Sequence, residues 1–490
     1  MLRPFWTFII ITYIVPACAG MSATIESQNH VVHRMHEVGA HLAFESHQGT
    51  VVVTEINMLG RPFENEYLAE LGGTSLLRLD LSRCDIHDND IQAIVGKCPN
   101  LRELNLSRTK ITDASINLLR DITHLESVTF YVPKMNDESI QSLAKYQSLR
   151  SIWFGTERMD LALKALSVLP KLELLDLSEI KLSTQDLKIL KDLPHLRTLL
   201  LTCNSKITDD HMRQIGELVE LERLELFAPV SEHGLQQLSN LTRLRTLKIR
   251  VANKEIDGEL LATTLSPIQT LTELSVVGFP FKKGSVSHLG RLSGLRALKP
   301  PSHLEDDDWV GLSRLIHLKK LDLSFTHTSD TSILHVVKLK SLEDLDLTQT
   351  HITDQALADL VVLEYLQRLA IGYTDVTKDG LASLRRMKHL HTLELSGRAN
   401  DDVISEVAQL EGITELNLSG ANVSDVGIKK LTQMKNLKRI DLSDTKITDV
   451  GIQELGNIKS LTEIRLDGVS ISFAGIVELL GKLPDAKIYW

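Results

Sequence analysis

One stretch constrains this chain more than any other: Leu437 to Ser460, LKRIDLSDTKITDVGIQELGNIKS, after which the pattern restarts at Leu461. Leu437, Ile440 and Leu442 take L-x-x-L-x-L positions. Alternation across Ile440-Asp441-Leu442 predicts a short strand with apolar residues on one face and Asp441 on the other. Ile452, Leu455 and Ile458 then follow at the spacing of one helix face. Thr448 suits the N-cap, where a hydroxyl accepts from an unpaired backbone N–H of the first turn. Ile447 and Ile452 form the pair of a hydrophobic staple, and Asp449 stands where the helix dipole favours an anion. A strand–turn–helix unit of this size cannot bury its apolar face alone, so it needs neighbours of its own kind.

The chain supplies them. Eighteen units begin between Val53 and Leu461, spaced 23 to 27 residues apart and most often 24. The staple keeps the register: Ile86 and Ile91, Ile111 and Ile116, Ile352 and Leu357, and Val423 and Ile428 all sit five apart. Thr109, Thr326, Thr350, Thr374 and Thr445 hold a position where asparagine is usual, and the helix entries read ITDxGI or close to it. On these features residues 50–490 resemble the leucine-rich repeat family. They look most like the repeats of exported bacterial proteins and the cysteine-containing, ribonuclease-inhibitor-like repeats of F-box proteins. The resemblance implies an α/β fold: a leucine-rich-repeat solenoid or horseshoe, with parallel strands on the concave face and short helices on the convex face. It implies little about function, since such folds host many activities.

A solenoid overrides the several domains that 490 residues would otherwise suggest. The net charge of −10 and scattered Lys and Arg leave no basic face for nucleic acid. Four dispersed cysteines cannot form a disulfide scaffold.

Residues 1–20 read as a secretory signal peptide: Arg3, an apolar run from Phe5 to Val15, and a small-residue site at Ala17-Cys18-Ala19. The run is shorter than the roughly 20 residues a membrane-spanning helix needs. Val15-Pro16-Ala17-Cys18 also partly resembles a bacterial lipobox, which would make Cys18 a lipidation site, although Pro16 departs from that pattern. Residues 21–52 lack the repeat and read as an N-terminal cap. Their His30, His33 and His36 could share a helix face, but no convincing further ligand accompanies them, and no metal or cofactor is expected.

Repeats then fill residues 53–485, with irregular stretches at 125–170 and 250–310. Pro300 falls on a strand position and should remove a rung there, bending the ribbon or interrupting its ladder. Residues 486–490 alternate as a terminal capping strand, with Tyr489 and Trp490 covering the end of the core. His124, His195, His317 and His389 each precede a repeat's first leucine and recur in phase, which marks turn positions rather than catalysis.

Alternate strand residues form columns on the concave face. The central column is mainly Asp, Asn and Glu at both ends, but holds Trp153 and Leu200 in its middle. Tyr131, Leu174 and Phe227 fall two residues to either side in nearby repeats, and Arg223, Lys248, Arg250 and Lys299 flank them. This set, Tyr131, Trp153, Leu174, Leu200, Arg223, Phe227, Lys248 and Arg250, is the candidate binding site. It combines the residue types that mark interaction surfaces. Asp322, Asp344, Asp346 and Glu394 read as a solvated acidic face. Protease, P-loop, serine-hydrolase and dinucleotide-binding motifs are absent from the sequence, and Cys84 takes a packing position. The sequence thus predicts a non-enzymatic, exported recognition protein of the periplasm, envelope or extracellular space. Its partner would be a protein, with no nucleic acid, and membrane contact would be limited to the signal or a lipid on Cys18. Two alternatives are an F-box-like recognition subunit of a ubiquitin ligase and a purely structural envelope protein.

Overall fold

A computed structural model describes residues 31–490 except 33, 36, 48–49, 71–74, 203–206, 251–256, 279–280 and 305. The signal segment, Cys18, His30, His33, His36 and Cys203 lie outside the described residues. From β2 (Thr50–Asn57) onward each unit contributes one parallel strand, through β3 (Arg78–Asp80) to β20 (Lys487–Tyr489). Short helices such as Asp113–Leu119 and Asp449–Leu455 return the chain on the outside. Within strands, burial alternates, and the leucines turned toward the helices form one continuous core.

The local rules behind each unit are visible in its hydrogen bonds. Thr448 caps its helix by accepting from Val450 N at 3.3 Å. Asp449 does more than complement the helix dipole: it accepts from Ser472 N at 2.9 Å and Ser472 Oγ at 2.8 Å, the cap of the following unit. Asp425 binds Thr448 in the same way, at 2.8 and 2.7 Å. Each such carboxylate therefore ties one helix start to the next. The glycine of the ITDxG pattern follows from this tie, because a Cβ on Gly451 would overlap the Asp425 carboxylate. Thr445 donates to Leu442 O at 2.6 Å, and Thr326, Thr350 and Thr374 repeat that bond, closing the turn after the strand.

The irregular middle keeps its sheet. The strand Ala297–Lys299 ends just before Pro300, and its ladder to the next strand narrows to Ala297↔Lys320 and Leu298↔Leu321. The rung is shortened rather than interrupted, because the missing N–H falls at the strand's end. On the outer side, a Cβ on Gly258 would overlap the Ser285 carbonyl, and one on Gly290 the Gly311 carbonyl. Backbones here approach closely without a side chain between them.

The solenoid's two ends meet. β1 (His41–His47) runs antiparallel to β2 and also to β20, pairing Ala43 with Tyr489 and Phe44 with Ile488. Leu42 N donates to Trp490 O at 2.7 Å and Trp490 N to Leu42 O at 2.9 Å. Phe44, Phe473 and Trp490 pack together beneath this seam, with ring centroids 6.0 to 6.5 Å apart. Lys487 reaches Glu45 at 3.1 Å and Glu55 at 2.7 Å, and His41 meets Asp467 at 2.7 Å. β20 therefore joins the first strands instead of facing solvent. The twenty-stranded sheet is closed. At a spacing of ~4.8 Å per strand its circumference is ~96 Å and its diameter ~30 Å. The concave face is the wall of a central opening.

Candidate functional site on the inner wall

Register decides what the wall presents, because parallel strands place equivalent positions of successive units side by side. Over much of the ring those positions carry opposite charges. Arg78 pairs with Glu55 at 3.0 Å and Glu103 at 2.9 Å. Arg368 joins Asp344 at 2.6 Å and Glu394 at 2.8 Å and lies 3.7 Å from Asp346. Lys299 holds Asp322 at 2.7 Å, and Lys320 holds Asp344 at 2.8 Å. The acidic column expected to be a solvated face is thus neutralised by the chain's own cations. Lys299 and the adjacent Ser324 keep Asp322 ionised below the usual carboxylate range, against the opposing effect of burial.

The stretch from Ser127–Tyr131 through Ser151–Gly155, Leu174–Asp176 and Thr198–Thr202 to Arg223–Phe227 and Thr246–Arg250 differs. The ladder aligns Thr129, Trp153, Asp176, Leu200, Glu225 and Lys248 across neighbouring strands. Leu174 flanks this row on one side, opposite Ser151 and Thr198, and Phe227 on the other, between Thr202 and Arg250. Tyr131 lies opposite Gly155, where a Cβ would overlap its ring, so the glycine makes room for the tyrosine. Trp153, Leu174, Leu200 and Phe227 are half-buried, whereas Tyr131 is 48% exposed. The Trp153 indole donates to Ser178 O at 3.0 Å, which lays it along the wall toward the next strand.

The predicted residues are thus brought to one face, with two differences from the expected patch. Asp176 separates Trp153 from Leu200 in the row. The flanking cations are engaged: Arg223 pairs with Glu225, Lys248 meets the same carboxylate at 3.2 Å, and Lys299 holds Asp322. Arg250, at the rim side of its strand, is exposed. Asp176 was legible in the column but not singled out. Burial raises its pKa above the usual carboxylate value, opposed by hydrogen bonds from Ser178 and reinforced by the nearby Glu225 and Glu179.

Two other surfaces were missed by sequence reasoning. A cleft of about 640 Å³ lies at the seam, lined in part by His41, Arg78, Asp80, Glu103, Arg465 and Asp467. It exists because distant ends of the chain meet, so no local pattern announces it. On one rim, Phe325 and Tyr373 are 65% and 49% exposed with φ of 60° and 55°. They hold a left-handed turn position that Gly397, Gly420 and Gly468 fill in later units, and bulky residues in place of recurring glycine were the available signal. Stacked imidazoles of His303, His327 and His351 lie on neighbouring turns, with centroids 4.5 and 5.7 Å apart.

Among the described residues no group of three or more His, Cys, Asp or Glu is arranged to hold a metal ion. No described helix is long and apolar enough to cross a membrane. Cys84 and Cys98 are buried, and burial pushes the Cys98 thiol up to about 11, which suits packing rather than nucleophilic chemistry. The phase-locked histidines His124, His195, His317 and His389 are exposed at turns.

A family model for the leucine-rich repeat matches residues 74–95, 97–116, 413–431 and 433–456. No curated protein sequence matches the chain. Among solved structures, an internalin of Listeria monocytogenes is similar at 17% identity and a TM-score of 0.36, over 76% of this chain and 82% of its own. A leucine-rich repeat protein of Leptospira interrogans is similar at 18% identity and 0.34, over 87% and 99%. The mouse RP105/MD-1 complex is similar at 16% identity and 0.45, over 84% and 79%. The matched segments near both ends share their strand–turn–helix unit with the repeats between them, and the chain folds as a leucine-rich-repeat solenoid.

Proposed function

We propose that this chain is an exported, non-enzymatic recognition protein that binds a polypeptide partner on its inner wall, across Tyr131, Trp153, Leu174, Leu200 and Phe227. One observation carries the reading. Most of the wall spends its charges on in-register ion pairs, whereas this sector presents half-buried apolar side chains to the opening. Apolar area left on an accessible face of a repeat protein is the usual mark of an interaction site. With a sheet diameter of ~30 Å before side chains are counted, the opening suits a helix of ~10–12 Å or an extended segment better than a folded domain. Export rests on Arg3, the apolar run and Ala17-Cys18-Ala19.

Affinity capture on the immobilised chain, beside a Trp153→Asp, Phe227→Asp variant shown by circular dichroism to be folded, tests the site. A protein held by the parent and lost from the variant supports it, and identical retention by both refutes it. Fractionation of the source cells tests export: recovery outside the cytoplasm without residues 1–19 is expected, and a full-length cytosolic chain would end that part of the reading.

A further inference from the structure

We propose that the inner-wall sector takes a polypeptide segment that sets one lysine or arginine side chain against Asp176 and apolar side chains against Trp153, Leu174 and Leu200. The proposal rests on the inner-wall reading above and names the partner's chemistry.

Its basis is a contrast within one column. Aspartates recur there because Oδ1 accepts from the N–H two residues on: Asp80 from Ser82, Asp176 from Ser178, Asp322 from Ser324 and Asp346 from Thr348, at 2.8 to 3.0 Å. That bond uses one oxygen. The other is served from a neighbouring strand in the remaining cases: Asp80 Oδ2 by Asn105 Nδ2 at 2.9 Å and Asp322 Oδ2 by Lys299 Nζ at 2.7 Å, with Arg368 at 3.7 Å from Asp346 Oδ2. Asp441 stands between Asn417 and Arg465. Asp176 alone among these described aspartates stands between two apolar residues, Trp153 and Leu200.

The described cations nearest to it, Arg150, Arg223 and Lys248, do not remedy this. Arg150 is held by Glu173 at 3.1 Å, Arg223 by Glu225, and Lys248 by Glu225 at 3.2 Å. Trp153, whose indole donates to Ser178 O, stands beside Asp176 in the row. A carboxylate flanked by apolar surface and short of a counter-charge favours a cation delivered from outside. That cation must arrive with apolar neighbours, since the flanking wall offers little else. A segment of uniform positive charge would waste Trp153 and Leu200, and a purely apolar one would desolvate Asp176 further.

The test starts from a phage-displayed random-peptide library panned on the immobilised intact chain. An enriched peptide is then synthesised with its basic residue intact or replaced by norleucine, and titrated calorimetrically against the parent, Asp176→Asn and Trp153→Ser. In Asp176→Asn the amide keeps an oxygen that can accept from Ser178 N, so the turn survives. The expected outcome is a consensus of one Lys or Arg among Leu, Phe or Trp. Binding should be about tenfold to a hundredfold weaker to the Asp176→Asn variant. The same loss should follow norleucine replacement, and the two losses should not add. Peptides that need Trp153 but are indifferent to Asp176→Asn overturn the cation and leave the inner-wall reading standing. No enrichment, or binders indifferent to Trp153→Ser, overturns both.

Discussion

Phe44→Ala tests whether the ring is closed by packing at its seam. Phe44 is 0% exposed and lies 6.0 Å from the Phe473 ring and 6.4 Å from Trp490. Truncating a fully buried phenylalanine costs ~3–5 kcal/mol. The loss falls where β1 bridges β2 and β20, so it should appear as local opening rather than as uniform destabilisation. Hydrogen exchange reads this directly, because the Leu42 and Trp490 amides bond to each other's carbonyls across the seam. At about 1.4 kcal/mol per decade, roughly a hundredfold to a few thousandfold faster exchange is expected there, wherever exchange proceeds by local opening. Amides of the strands near Leu321 and Leu345, on ladders remote from the seam in sequence, should change little. Equal acceleration around the ring would show that closure is not a separable packing event. Unchanged exchange at Leu42 and Trp490 would refute closure through these residues.

Three further outcomes follow from the same structure. Asp425→Ala removes both bonds to the Thr448 cap and should lower stability by ~1–2 kcal/mol in urea unfolding, while Asp425→Asn should recover part of the loss. An unchanged midpoint for the alanine variant would deny the carboxylate ladder a role. The His41–Asp467 pair makes the seam pH-dependent: His41 is raised, chiefly by its hydrogen bond to Asp467, and Asp467 is lowered, chiefly by the same bond. Stability from a raised histidine is fully present below its unfolded pKa of ~6.5 and lost as pH rises through the folded value. Stability from a lowered aspartate is present above ~3.9 and lost as pH falls through its folded value. Seam protection, corrected for intrinsic exchange, should therefore peak at mildly acidic pH and decline toward pH ~8. His41→Asn should flatten that decline, and an unaltered profile would count against the pair. Peptide mapping after mild alkylation should find Cys84 and Cys98 unmodified in the folded chain and both modified in urea, since they are buried and their thiol pKa values are raised. Rapid labelling of the folded chain at either would contradict their place in the core.

Much of the architecture was legible because it is local. The L-x-x-L-x-L spacing, the Thr448 cap and the staple from Ile447 to Ile452 each involve residues a few positions apart, and eighteen repetitions turn weak preferences into one register. The same register places Trp153, Leu200 and their neighbours on one face. It does not show that Glu225 takes up both Arg223 and Lys248 and so leaves neither of them to Asp176. Side-chain pairing across strands depends on which rotamers reach, and a column of letters does not contain that.

Closure lay further from the sequence. Each unit carries the small rotation between a narrow strand spacing and a wider helix spacing, and repetition sums it over the whole chain. Whether the sum brings β20 back to β1 depends on every interval, including the shortened ladder at Pro300 and the close backbones at Gly258 and Gly290. The sequence by itself determined the unit, its caps and the columns of its inner face, since these are set by contacts within a unit and its immediate neighbour. Tertiary structure alone decided that the ends meet, because His41 and Asp467 are 426 residues apart and only accumulated curvature brings them to 2.7 Å.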